Sequence, residues 1–160
     1  MGTEGRYHKT FTISWDMLQN DCKTLSARLL EKRPWKKIIG IARGGLTPAA
    51  IVARELDIRL IDTICISSYT VQTQGEANVL KAVEAGENSE DWLIIDDLVD
   101  TGKTAQIVRK MLPHSYFATV YAKPEGRVWV DDCITQVSQD TWILFPWDSA
   151  PSYVKPLAEM

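Results

Sequence analysis

Residues 92–104 read Trp92-Leu93-Ile94-Ile95-Asp96-Asp97-Leu98-Val99-Asp100-Thr101-Gly102-Lys103-Thr104. Trp92 to Ile95 form a short, continuous apolar run rich in isoleucine, which reads as a strand buried on both faces. From Thr101 to Met111 the content is helical, with Ile107, Val108 and Met111 at core-facing spacing and Pro113 as a stop. The junction is therefore a strand–loop–helix turn. In open α/β sheets such turns lie at the carboxyl ends of the strands, where ligands bind. Gly102 permits close backbone approach, and the free N–H groups of the following helix favour an anion.

The end of this stretch, Gly102-Lys103-Thr104, matches the close of the nucleotide-binding pattern G-x-x-x-x-G-K-[ST], but Asp97 stands where its first glycine belongs. A sugar phosphate fits better, with hydroxyls donating to Asp96 and Asp97 and the phosphate resting on the loop from Asp100 to Thr104. Adjacent strand residues point to opposite faces, so two carboxylates on one ligand would require the chain to leave regular strand geometry.

Outward from this turn, strand-like and helix-like segments alternate, as in an α/β domain. Leu18, Cys22, Leu25 and Leu29 mark one face of an early helix, and Lys37 to Ala42 reads as a buried strand. Thr47-Pro48 offers an N-cap and first-turn proline for a helix to about Leu56; Leu60 to Ser67 and Tyr116 to Ala122 are further strands. Between Ser68 and Asp91 the chain turns polar and small, a length of loop that is more often functional than accidental. With 160 residues, 45% of them hydrophobic, one domain spanning 1–160 is expected, with residues 1–10 loose and 128–160 folding back as a cap over the sheet edge. A net charge of −3 gives no case for nucleic-acid binding. Cys22, Cys65 and Cys133 are odd in number and unpaired in spacing, which points to a reducing compartment. No signal peptide, spanning segment or myristoylation pattern is visible, and neither His8 nor His114 has metal-ligand spacing.

The run Ile95 to Thr104 resembles the phosphoribosyl diphosphate (PRPP) motif of type I phosphoribosyltransferases. Trp15-Asp16-Met17-Leu18-Gln19, Ala42-Arg43-Gly44-Gly45, Cys65-Ile66-Ser67-Ser68-Tyr69, Asp140-Thr141-Trp142-Ile143 and Pro146-Trp147-Asp148 extend the likeness, in order, to the purine branch of that family. The resemblance implies a type I phosphoribosyltransferase fold, a central, mostly parallel sheet flanked by helices with a small C-terminal hood. It also implies transfer of the 5-phosphoribosyl group from PRPP to N9 of xanthine or guanine, hypoxanthine more weakly, with Mg²⁺ as cofactor. A homotetramer in the cytoplasm follows from the same resemblance, with peripheral contact to the inner membrane left open. The rival is a non-catalytic PRPP or nucleotide sensor on the same fold, though such regulators tend to carry a DNA-binding domain or a basic face.

Under this resemblance Asp97 is the metal-associated carboxylate, and Asp96 serves the ribose hydroxyls and the Mg²⁺ shell. Asp100 faces the purine N7 and handles its proton, its bland alternative being an N-cap. Thr101, Gly102, Lys103 and Thr104 hold the 5′-phosphate; Arg43 and Gly44 form the diphosphate loop, whose peptide after Ala42 is non-trans. Lys123 is a donor only, so it suits a 6-oxo group and leaves a 6-amino group unpaired. Trp142 stacks on the base and the backbone of Ile143 serves the 2-position, while the other tryptophans are better explained as core or interface. Two departures stand out. Gly75 takes the place of a basic residue in the mobile loop, for which Lys81 is the candidate substitute in PRPP binding, and Leu144-Phe145 replaces more polar residues near the base.

Overall fold

The structure, a computed structural model, describes residues 5–67, 77–84, 89–148, 150 and 154–160. The first helix, α1 (Trp15–Leu30), starts at Ser14, whose hydroxyl accepts the Met17 N–H at 3.1 Å. Its apolar stripe of Leu18, Cys22, Leu25 and Leu29 is fully inaccessible, as the helical period requires. Strand β1 (Lys9–Thr12) precedes it. After it come β2 (Lys37–Ala42), α2 (Leu46–Glu55), β3 (Ile61–Ser67), β4 (Asn78–Lys81), β5 (Trp92–Val99), α3 (Lys103–Met111), β6 (Tyr116–Ala122), the short α4 (Pro124–Arg127), β7 (Asp132–Gln136) and β8 (Thr141–Leu144).

The main sheet has the order β4-β3-β2-β5-β6-β7, parallel throughout except for β4. One face packs Ile38, Leu93 and Ile95 against Leu25 of α1 and Val52 of α2. The other packs Ile39, Ile94 and Phe117 against Val108 of α3 and the adjoining Leu112. The chain steps outward from β2 to β3 on one side and from β5 to β6 and β7 on the other. The winding thus reverses between β2 and β5, and the crevice at their carboxyl ends is where such a sheet binds ligands.

Four expectations are corrected. Strand β5 does not end at Ile95 but keeps a constant register with β6 from Leu93↔Tyr116 to Val99↔Ala122, because Leu98 and Val99 still have a parallel neighbour to pair with. Helix α2 is capped at Gly45, not Thr47, since the Gly45 N–H already turns back to the Ile41 carbonyl at 2.8 Å. β7 extends the main sheet beside β6, so only the end of the 128–160 tail forms a separate layer. That layer is a two-stranded parallel sheet of β8 with β1, from Lys9↔Thr141 to Thr12↔Leu144, so residues 9 and 10 are not loose. Burial of the following Ile13 and the contact of Phe11 with Tyr121, ring centroids 6.3 Å apart, hold the N-terminal strand down.

Leu25→Ala should cost about 2–5 kcal/mol in urea denaturation, the range for truncating a fully buried leucine. Leu30→Ala on the same helix, where the side chain is 61% exposed, should stay within about 0.5 kcal/mol.

Candidate active site

Asp96 and Asp97 stand near the carboxyl end of β5, beside the loop that leaves β2. Alternation holds from Leu93 to Ile95, with Leu93 and Ile95 on the α2 face and Ile94 on the α3 face, but Leu98 then packs with the first group and Val99 with the second. The strand thus leaves regular alternation at the two aspartates, as expected for carboxylates that serve one ligand, and both line the two cavities that meet at its end. Each accepts a main-chain N–H one residue on: Asp97 N–H to Asp96 Oδ1 at 2.9 Å, Leu98 N–H to Asp97 Oδ1 at 2.7 Å. Burial pushes both carboxyls above the usual carboxylate range. The charge of Asp97 adds to the effect on Asp96, and that of Asp148 to the effect on Asp97. Among the described residues neither has a cationic partner.

Past β5, Gly102 takes φ 90° at the cap of α3, where a Cβ would also overlap the Trp129 indole. No side chain caps α3, and its first internal bond runs from the Gln106 N–H to the Gly102 carbonyl at 2.9 Å. The N–H groups before Gln106 therefore have no helical acceptor and face an anion's position. A cavity of about 400 Å³ opens there, lined by Asp96, Asp100, Thr101, Lys103, Thr104 and Arg6.

Asp100 is not a cap. Its Oδ1 accepts from Gln139 Nε2 at 2.7 Å and its Oδ2 from Lys123 Nζ at 3.1 Å. Lys123 ends β6 with only 2% of its surface exposed. Gln139 is fixed in turn by the Glu125 N–H, which donates to its Oε1 at 3.1 Å. Trp142 lies on β8, its indole N–H buried without a partner among the described residues. The Ile143 side chain is buried in the same core as Ile13 and Phe145. Because Asp140 and Leu144 supply the carbonyls that β1 and its flanks use, the alternation of a parallel ladder turns the Ile143 N–H and C=O away from β1.

On the β2 side the Ala42–Arg43 peptide is cis, matching the expectation for that loop. Gly44 has no room for a side chain, because a Cβ there would overlap the Asp97 carboxylate. Arg43, Gly44, Thr47, Ser67, Trp147 and Asp148 line the cleft that opens from this loop. Lys81 is not brought to it: its ammonium holds Asp62 Oδ1 and the Thr63 carbonyl, both at 2.7 Å, and Leu80 lines the cleft instead. This pairing draws the Asp62 carboxyl down to about 2. Gly75 lies outside the described residues.

Gln139 escaped the sequence reading although it flanks the quoted motif Asp140 to Ile143, and Asp148 was quoted in Pro146 to Asp148 without a role being given to it. Trp129 and Trp147 are also closer to the site than core or interface residues would be, one packed on Gly102 and the other in the cleft.

Residues 14–153 match the phosphoribosyl transferase domain family. The chain is 64% identical over 158 residues to the xanthine-guanine phosphoribosyltransferase of Nitratidesulfovibrio vulgaris (strain DP4), covering 98% of this chain and 96% of that protein. It is 53% identical over 154 residues to the xanthine-guanine phosphoribosyltransferase of Chromohalobacter salexigens, covering 96% and 93%. A solved purine phosphoribosyltransferase from Pyrococcus horikoshii Ot3 superposes with a TM-score of 0.78 at 26% identity, over 91% of this chain and 99% of that one. The Helicobacter pylori xanthine-guanine-hypoxanthine phosphoribosyltransferase, 19% identical with a TM-score of 0.72 over 86% and 93% of the two chains, shares the fold.

The raised Asp96 carboxyl makes a stability prediction. Its charged form is costly only in the folded state, so the cost is absent below the unfolded value of about 3.9 and grows as pH rises through the native titration. In Mg²⁺-free buffer, Asp96→Asn should melt with the wild type near pH 4 and above it at pH 8; equal melting temperatures at pH 8 would contradict the burial argument.

Proposed function

The chain belongs to the phosphoribosyltransferase family, and on that premise we propose that it transfers the 5-phosphoribosyl group of PRPP to N9 of xanthine or guanine, with diphosphate leaving. The observation that carries this reading is the 3.1 Å pair of Lys123 Nζ and Asp100 Oδ2, which Tyr7 joins to Trp142 by contacting all three. In a 6-oxopurine, O6 and N7 lie next to each other on one edge of the base. An ammonium and a carboxylate side by side match that edge, the first donating to O6 and the second accepting from a protonated N7. Lys123 has no acceptor to offer a 6-amino group, which supports rejection of adenine.

In this assignment the base lies on the Trp142 indole, and the main-chain groups of Ile143 serve the 2-position. Free N–H groups at the start of α3, with the Thr101 and Thr104 hydroxyls and Lys103, hold the 5′-phosphate. Arg43 and the main chain at Gly44 receive the leaving diphosphate, the arginine through its planar fork. As the N9–C1′ bond forms and the C1′–O bond to diphosphate breaks, the N7 proton passes to Asp100. Gln139 keeps that carboxylate aimed at the base.

Two buried carboxylates without a cationic partner among the described residues fit Mg²⁺, a hard cation that takes one or two protein carboxylates and completes its shell with substrate oxygens and water. Asp97 would ligate it, with Asp96 in its shell and toward the ribose hydroxyls; when bound it neutralises charge on the leaving diphosphate. The free cysteines among the described residues support a cytoplasmic setting, and a homotetramer is proposed from the family resemblance, with the exposed Trp15, Met17 and Leu46 open to contact with further copies. No helix among the described residues is long and apolar enough to cross a membrane.

Purified protein incubated with PRPP, Mg²⁺ and each of xanthine, guanine, hypoxanthine and adenine should turn over the oxopurines, with adenine at least about 10²-fold lower in kcat/KM because a buried donor is left unpaired. No transfer to any 6-oxopurine would overturn the proposal. Asp100→Asn should lower kcat by about 10²–10⁴, the range for a positioned general base. Lys123→Ala should lose most of the preference over adenine; a variant that still discriminates fully would show that another group reads the 6-position.

A further inference from the structure

Arg6 and Tyr7 precede β1 and are seated by the neighbouring His8, whose N–H donates to the Asp140 carbonyl at 2.9 Å. From that position Tyr7 meets each side chain assigned to the base. Its hydroxyl donates to Asp100 Oδ2 at 3.4 Å, and Lys123 Nζ lies 4.6 Å from its ring centroid. Its ring meets Trp142 edge-on, with centroids 5.2 Å apart at 74°. Arg6 turns to the phosphate side: it lines the same cavity as Thr101 to Thr104, and its Nη2 is 3.5 Å from Asp100 Oδ1.

We propose that Arg6 and Tyr7 are substrate-binding residues, Tyr7 as the side wall of the base pocket and Arg6 as a cationic partner of the 5′-phosphate. This rests on the phosphoribosyltransferase reading of the site. The ring angle favours a wall over a plug, because a residue taking the base's place would lie parallel to the indole, whereas Tyr7 stands at 74° to it. Charge speaks for Arg6. The cavity over the phosphate loop is lined by Asp96, Asp97 and Asp100, and among the described residues the only cationic side chains in its lining are Lys103 and Arg6. A dianionic phosphate beside three carboxylates needs both. The guanidinium makes one long contact with Asp100 and its side chain is 50% exposed, so further donors of its fork face the cavity mouth.

The test uses the full chain and the variants Arg6→Ala, Tyr7→Ala and Tyr7→Phe, each checked for an unchanged melting temperature. Tyr7→Ala should raise KM for guanine about 2- to 12-fold, the factor an edge-to-face aromatic contact supplies. Tyr7→Phe, which keeps the ring, should restore it to within about 2-fold, because the hydroxyl bond is long. Arg6→Ala should raise KM for PRPP about 10-fold and weaken guanosine 5′-monophosphate by the same factor in calorimetry, leaving guanosine unaffected. Unchanged constants would overturn the proposal. A lower guanine KM in Tyr7→Ala would overturn it too, by making Tyr7 an obstruction. A wild-type chain that binds the monophosphate but transfers to no purine would overturn the enzymatic reading alone, and the calorimetric comparison would still decide Arg6.

Discussion

Two like charges held out of water at the end of the central strand are the constraint around which the rest of the site is arranged. Asp96 and Asp97 are reached through an isoleucine-rich strand with neighbours on both sides, so neither can move into solvent without breaking the sheet. Each is satisfied in part by a main-chain N–H, which lowers the cost of its charge without removing it. Asp148 adds a third carboxylate on the Asp97 side. Such an arrangement is poor for the folded chain alone and good for binding a ligand that arrives with hydroxyl donors and a divalent cation. Gly44 belongs to the same constraint, since any side chain there would displace Asp97.

The base half is balanced differently. A lysine with 2% exposure is tolerable only because a carboxylate accepts from it, and Asp100 does so while held on its other oxygen by Gln139. A purine edge that accepts at O6 and gives up a proton at N7 meets both groups without leaving either buried charge unpaired. Removal of one partner would strand the other, so the two residues act as a unit and their substitutions are not expected to add.

The half of the site proposed to bind PRPP was legible in the sequence because it is local. The strand, the two carboxylates, the glycine and the helix start fall within 92–104, and the Arg43–Gly44 loop follows its own strand directly. The apolar stripe of α1 was equally readable from its period. Long-range features were not. β1 pairing with β8, β7 joining the main sheet and Gln139 reaching Asp100 all depend on contacts between distant segments, to which periodicity is blind. The position of Lys81 was hidden for a related reason: the family resemblance made it a candidate substitute in the loop, but its ammonium is held by Asp62 on the neighbouring strand. Element boundaries at Val99 and Gly45 shifted because pairing with a neighbouring strand and a tight turn outweighed local composition.

This division between local and distant parts has a functional consequence. The PRPP half rests on turns anchored in the buried sheet, so its geometry is fixed by the core. The base half is assembled from Asp100, Lys123, Gln139, Trp142 and the N-terminal Tyr7, drawn from both sheets and joined by hydrogen bonds and ring contacts rather than one backbone. β1 is the mechanical link: it pairs Thr10 with Trp142, and Tyr7 just before it packs its ring against that indole. A change in the packing of that small sheet, through Phe11, Ile13 or Phe145, would therefore alter the width of the base pocket while leaving the phosphate loop where it is. Base preference can vary in such an architecture with little disturbance to the phosphate loop, because α3 packs in the other core, with Ala105 and Val108 beside Ile94 and Val99.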